Sequence, residues 1–364
     1  MSMTAKQLFW ILFSLEIGNT LLVTISPTAA LTRQNLWLSY IAAGILCMLI
    51  TWIAARVALL HPHRDFLDIC RAILGNWLGT LVVLAYMIQW FSAIGIILYD
   101  FTEFASTVLL PATPTMTFAA SLMLLVLYAL HAGGIRSVGR CSEFFGPIIV
   151  FSLLLILLLF IPDAEPHRLL PVYADTGLKG VAAGAVFPYA LLGETVMLMA
   201  LAGFLHQPGR LAVSALGSVG LTSALIVVSV VFVVMTLGGE LAASLKNPLL
   251  VTISYINAMN FLQNLEIVGV LVWILSLFVK LSVYLFLLSY HAARIFGVKK
   301  WTKLAWPAAL ASIGLLIAFQ KFAIDGNVFM RSVWLPYIVP AHMALLPLLL
   351  LAVGAVRKKM RRRD

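Results

Sequence analysis

Glu16, Glu194 and Lys280 are ionisable side chains set deep inside long apolar segments. Glu16 lies ten residues past Lys6, Glu194 twelve before His206, and Lys280 eleven before His291. At about 1.5 Å per helical residue, each is roughly 15–18 Å from the nearest polar end of its segment. That is close to the middle of a hydrocarbon layer about 30 Å thick. Neither Glu nor Lys can snorkel so far. A charge at that depth is costly unless it is paired or faces a wet cavity, and it marks a functional site by default. The chemistry open to such groups is ion pairing, recognition of a charged ligand, or proton carriage.

Both acids stand beside helix-breaking residues. The first run reads Leu15-Glu16-Ile17-Gly18-Asn19-Thr20, and the second Phe187-Pro188-Tyr189-Ala190-Leu191-Leu192-Gly193-Glu194. Gly18 weakens a hydrogen-bond ladder, and Asn19 and Thr20 can cap the freed groups. Pro188 deletes one ladder bond and Gly193 loosens the next turn. Half-helix N-termini bind carboxylates, and unwound carbonyls hold cations. A small zwitterion such as an amino acid matches both ends. The expected site comprises Glu16, Gly18, Asn19, Thr20, Phe187, Tyr189, Gly193 and Glu194. A ligand carboxylate would meet the amides around Gly18–Thr20, and Glu194 or nearby carbonyls would face the amine. Tyr189, Ala190, Met197 and Tyr284 point to a modest, mostly apolar cavity. Lys280 either pairs with Glu16 or Glu194 or carries a proton. A static pair that fixes helix packing is the plainer alternative.

Other polar features carry less. Asp100 and Glu103 close the third apolar run, as a solvated helix end or as an attractor of cations at a mouth. His61-Pro62-His63 is a weak metal pattern, and Cys47, Cys70 and Cys141 have neither disulfide nor metal spacing. No nucleophile elbow, P-loop or zinc-ligand spacing occurs, which argues against an enzyme. No metal or cofactor is expected.

The elements that position these residues are membrane helices. The chain is 62% hydrophobic and 10% charged over 364 residues, which no soluble domain matches. Ten spans are predicted: 7–25, 35–59, 77–108, 114–131, 143–161, 180–204, 212–237, 265–290, 303–320 and 335–355. Residues 240–263 are too polar to span and predict a short helix over the outer face. The first run is read as a span, not a signal peptide, because Glu16 interrupts it. The two broken runs are spans one and six, at matched positions in two halves of five. Repeat one covers about 7–161 and repeat two about 180–355, within a single domain of 1–364. The net charge of +10 resides mainly in alternate loops, so it speaks for membrane topology and against nucleic acid. Lys and Arg number seventeen on the N-terminal side of the membrane and six on the other, which predicts both termini cytoplasmic. The basic tail 356–364 is suited to anionic lipid.

The order of short motifs resembles the B subunit of spore germinant receptors, a branch of the amino acid–polyamine–organocation transporter superfamily. The resemblance covers nearly the whole chain. It rests on Gln7, Glu16-Ile17-Gly18, Asp100-Phe101-Thr102-Glu103, Leu110-Pro111-Ala112-Thr113-Pro114, Gly134-Ile135 with Arg140, Leu169-Leu170-Pro171, Phe187 through Glu194, and Leu265-Glu266 with Trp273, Phe278 and Lys280. Arg136 and Asn264 depart from the pattern at loop edges. The resemblance implies an all-α, LeuT-like fold of ten helices in a 5+5 inverted repeat, with helices one and six discontinuous. It also implies a spore inner-membrane protein that senses a nutrient, an amino acid or similar metabolite, with A and C receptor subunits as partners. A proton-coupled amino-acid permease is the rival reading, and a channel-like subunit a third.

Overall fold

The computed structural model describes residues 2–172, 176–255, 265–322 and 326–360. Asn264, residues 256–263 of the predicted outer helix, and Arg361, Arg362 and Arg363 of the basic tail lie outside the described residues. Helices account for nearly all of the rest: α1 (Ala5–Val23), α2 (Ile25–Thr32), α3 (Leu36–Ala58), α4 (Phe66–Leu74), α5 (Asn76–Phe104), α6 (Thr115–Gly133), α7 (Ile135–Phe160), α8 (Gly177–Leu192), α9 (Leu198–Leu201), α10 (Leu211–Leu237), α11 (Gly239–Ser244), α12 (Pro248–Ser254), α13 (Glu266–Phe296), α14 (Thr302–Lys321), α15 (Gly326–Phe329) and α16 (Leu346–Met360).

Among the described residues, nine helical segments are long and apolar enough to cross a membrane. The predicted first span, now α1, is not in that set, because Gln7, Glu16 and Asn19 dilute its apolar character. It has no need to face lipid. Every residue from Ile11 to Leu22 is buried, against α7, α10 and α13. The most apolar stretches of Gly177–Phe204 and of α13 are similarly enclosed, at 83% and 78% buried. By contrast the most apolar stretch of α14 is only 28% buried, so most of its surface faces outward. The three ionisable residues thus sit on the three innermost helices.

The N-terminus is fixed on both flanks. Thr4 and Gln7 form a reciprocal capping box, with Gln7 N–H donating to Thr4 Oγ1 at 3.1 Å and Thr4 N–H to Gln7 Oε1 at 3.0 Å. Met3 pairs its backbone with Phe204 and His206, tying the start of α1 to the end of the sixth span. Thr4→Ala is expected to lower stability by about 1 kcal/mol. An unchanged unfolding midpoint for the purified variant would contradict the cap.

Three local departures from the sequence reading have physical causes. The connection after α3 holds α4, which was missed. Asp65 caps it through the Asp68 N–H at 2.9 Å, and Phe66, Leu67, Ile69, Cys70 and Ile73 bury one face. The polar stretch after α10 forms two short helices, α11 and α12, because Leu245–Asn247 separates them and Pro248 starts the second. The last span begins earlier than predicted, with a wide π-helical stretch over Met330–Leu345. Pro336 and Pro340 each remove a ladder donor there.

Candidate functional site

Trp273, Ser276, Lys280 and Tyr284 recur at helical spacing, so one stripe of α13 carries all four. All four are buried. Ser276 Oγ inserts into α1: it accepts the Gly18 N–H at 3.1 Å and donates to the Ser14 carbonyl. An uninterrupted helix would pair those two groups with each other. The insertion needs a glycine, because a Cβ at Gly18 would lie 2.5 Å from Ser276 Cβ. Trp273 Nε1 donates to Asn19 Oδ1 at 3.0 Å, and the Thr20 hydroxyl to the Glu16 carbonyl at 2.7 Å.

These bonds correct the expected break at Gly18–Thr20. The helix runs on through these residues, and the Gly18 amide already has its acceptor. The discontinuity falls at Thr24, between α1 and α2. Its cause is Pro27, which offers no N–H to the Val23 carbonyl and crowds it. The Thr24 hydroxyl donates to Thr20 O and meets the Tyr40 hydroxyl, each at 2.6 Å.

The sixth span is interrupted where its acid stands. Pro188 is absorbed inside α8, and the carbonyl it orphans, that of Gly184, accepts the Thr28 hydroxyl at 3.4 Å. After Leu192 the chain tightens into a 3₁₀ turn over Gly193–Met197. Cys47 Sγ reaches the Leu192 carbonyl at 2.8 Å, and Thr51 donates to Thr195 Oγ1 at 2.8 Å, so α3 clamps the turn. Gly193 lets the last span approach: a Cβ there would lie 2.8 Å from Met343 Sδ.

The turn aims Glu194 at α13. Lys280 Nζ lies 2.6 Å from Glu194 Oε2, with the two side chains 1% and 2% exposed. Of the partners open to it in the sequence reading, Lys280 takes Glu194 and not Glu16. Tyr284 brings its hydroxyl beside Glu194. Glu16 is wholly buried within the field of both charges, and neither of its oxygens receives a hydrogen bond from a described residue.

A cavity of about 30 Å³ touches the pair, with Asn19, Ala93, Ile97, Leu191 and Trp334 among its other walls. It has room for one or two waters. A second cavity of about 80 Å³ shares Val23, Ile96, Asp100 and Met330 with it, and reaches Glu103 and Lys246. Those two residues form an exposed ion pair of 2.6 Å that closes the mouth. Asp100 lines both cavities and Glu103 the second. The opposite end is sealed more heavily. Phe66, Tyr86, Trp90 and His291 stack edge to face or tilted, with centroids 5.3–6.1 Å apart. Beyond them Arg294 binds Asp65 at 2.8 Å and Asp68 at 2.9 Å. One end of the bundle is thus spanned by aromatic rings and two ion pairs, and the other by the Glu103–Lys246 pair.

The structure brings Asn19, Glu194 and Lys280 to one cavity, with Glu16 and Tyr284 beside the pair. Gly18, Thr20 and Gly193 shape the helices that hold them. Phe187 and Tyr189 are half-buried on α8 and line neither cavity. Ala190 and Met197 are buried in the core. Ser276, Thr24 and the Thr51–Thr195 clamp escaped the sequence reading. Ser276 could have been found from its spacing of four to Lys280, and the break at Thr24 from Pro27.

Known proteins agree with this architecture. The family model described as spore germination protein matches residues 2–325. The chain belongs to the spore germination protein family. Among curated members, spore germination protein KB of Bacillus subtilis (strain 168) is 25% identical over 99% of this chain and 96% of its own length. Spore germination protein YndE of the same organism is 23% identical over 89% of this chain and 88% of its own. The fold is shared with solved transporters of the LeuT type. One is Mhp1, a nucleobase-cation-symport-1 family transporter in a closed conformation with bromovinylhydantoin bound, at TM-score 0.70, 14% identity, and 96% and 77% coverage of this chain and that one. MhsT in complex with L-phenylalanine follows at TM-score 0.66, 14% identity, and 96% and 94% coverage. This spore germination protein is therefore a multi-pass membrane protein on a transporter fold.

Proposed function

We propose that the chain is the nutrient-sensing membrane subunit of a spore germination receptor, and that it recognises an amino acid or a similar small zwitterion. The observation that carries this reading is the buried Lys280–Glu194 pair at the interruption of the sixth span, facing a cavity. A zwitterion can exchange with that pair: its carboxylate takes Lys280 and its ammonium takes Glu194, so one internal ion pair becomes two intermolecular ones. Asn19 is placed to add a polar contact. The exchange separates α13 from the Gly193–Met197 turn, and the wider bundle is the signalling state. A ligand shifts that equilibrium only by its difference in affinity for the two packings.

The rest of the sequence reading fits this role. The Lys and Arg bias puts both termini in the cytoplasm and the Glu103–Lys246 mouth on the outer side. The spore inner membrane is the location, with A and C receptor subunits reading the change. The two repeats, 7–161 and 180–355, would supply the parts that move against each other. Glu194→Gln is expected to abolish the germination response to amino acids while the protein still reaches the membrane. A normal dose response in spores carrying that variant would remove the site.

The fold shared with Mhp1 and MhsT favours one second reading, a proton-coupled amino-acid permease. Uptake of labelled amino acid into proteoliposomes, driven by a pH gradient, would decide for it.

A further inference from the structure

Glu16 is the unbalanced member of the buried cluster. It is 0% exposed, both its oxygens lack a donor among the described residues, and it stands on neither cavity wall. Four groups face it: Glu194 from the 3₁₀ turn, Lys280 and Tyr284 from α13, and Cys47 from α3. Lys280 is the cation among them, and it is committed to Glu194 at 2.6 Å. The other helices packed on α1 bring it no compensating charge. α10 and α12 carry no titratable residue, and Arg136, Arg140, Cys141 and Glu143 of α7 and Lys179 and Tyr189 of α8 make no hydrogen bond to it. With both acids and the amine ionised, the cluster holds a net negative charge, and no described residue donates a hydrogen bond to Glu16. Isolated ionised carboxylates in such surroundings neutralise instead.

We propose that Glu16 is a proton site, holding a proton on its carboxyl while the bundle is closed. Glu16, Glu194 and Lys280 together are then neutral. This rests on the ligand reading in one respect only: a neutral cluster exchanges with a net-neutral zwitterion without change of total charge, which disfavours ligands of net charge. The proton itself needs no ligand. It returns to water when the bundle opens and Glu16 becomes hydrated.

Infrared spectroscopy of the full chain in lipid nanodiscs near neutral pH, with no ligand added, tests the assignment. The difference between wild type and Glu16→Gln is expected to contain the C=O stretch of a protonated carboxylic acid. The difference between wild type and the Lys280→Met, Glu194→Met double variant, in which Glu16 has neither a rival carboxylate nor a cation, is expected to lack it. Absence of the band from the first difference, or loss of the band in that double variant, would overturn the proposal. Should Glu16→Gln fail to fold, Glu16→Asp keeps a carboxyl and must shift the band, and an unshifted band overturns the assignment equally. Because no ligand enters, the outcome is independent of whether an amino acid binds.

Discussion

Replacing Lys280 with Met is expected to cost about 3–5 kcal/mol of stability. The loss is not the attraction of the pair. It is the Glu194 carboxylate, 2% exposed, left in the bundle with no counter-charge. The double variant Lys280→Met with Glu194→Met is expected to recover most of that loss, since buried ion pairs exchanged for apolar side chains are often neutral or better. The recovery also depends on Glu16 being neutral, for otherwise the double variant strands Glu16 in turn. Unfolding midpoints of the purified single and double variants give the comparison. A single variant as stable as wild type would mean that the pair is not formed in the membrane.

Gly18 is the second position with a large expected effect. A side chain there would meet Ser276 Cβ at 2.5 Å and the Trp273 Cα at 3.3 Å. Neither neighbour can retreat: Ser276 is bound to Ser14 and Gly18, and Trp273 to Asn19. Gly18→Ala is expected to cost about 1–3 kcal/mol by overpacking, and Gly18→Leu to abolish the germination response. Ser276→Gly in the same chain is expected to restore much of the stability of Gly18→Ala. Failure of that rescue would show that Gly18 matters for a reason other than the approach of α13.

How much of this was legible in the sequence depends on the range of the interaction. The order of the long helices followed from apolar runs, because a backbone in lipid must satisfy itself and leaves few options. Ten spans are predicted, and nine helical segments among the described residues are long and apolar enough to cross. The depth of Glu16, Glu194 and Lys280 followed from simple counting along each helix. Which acid takes the lysine did not, since Lys280 to Glu194 is a tertiary choice made by the 3₁₀ turn. The break in the first span was sought at Gly18, the local weak point, but lies at Thr24. Gly18 proved to be a contact glycine, and its role becomes visible only when Ser276 arrives from a helix some 258 residues away. The break at Thr24 was within reach, since Pro27 acts on the residue four before it. Phe187 and Tyr189 flank Pro188, yet neither lines either cavity. α8 exposes Leu178, Lys179, Ala182, Ala183 and Val186 along one face, and Phe187 and Tyr189 lie beside that face.

The ligand exchange at Lys280 and Glu194 is tested most directly by ligand-induced thermal shift on the purified protein, across a panel of zwitterionic amino acids. At least one amino acid is expected to raise the unfolding midpoint of wild type in a concentration-dependent way, and to leave that of the Lys280→Met, Glu194→Met double variant unmoved. An equal shift in that double variant would contradict the account.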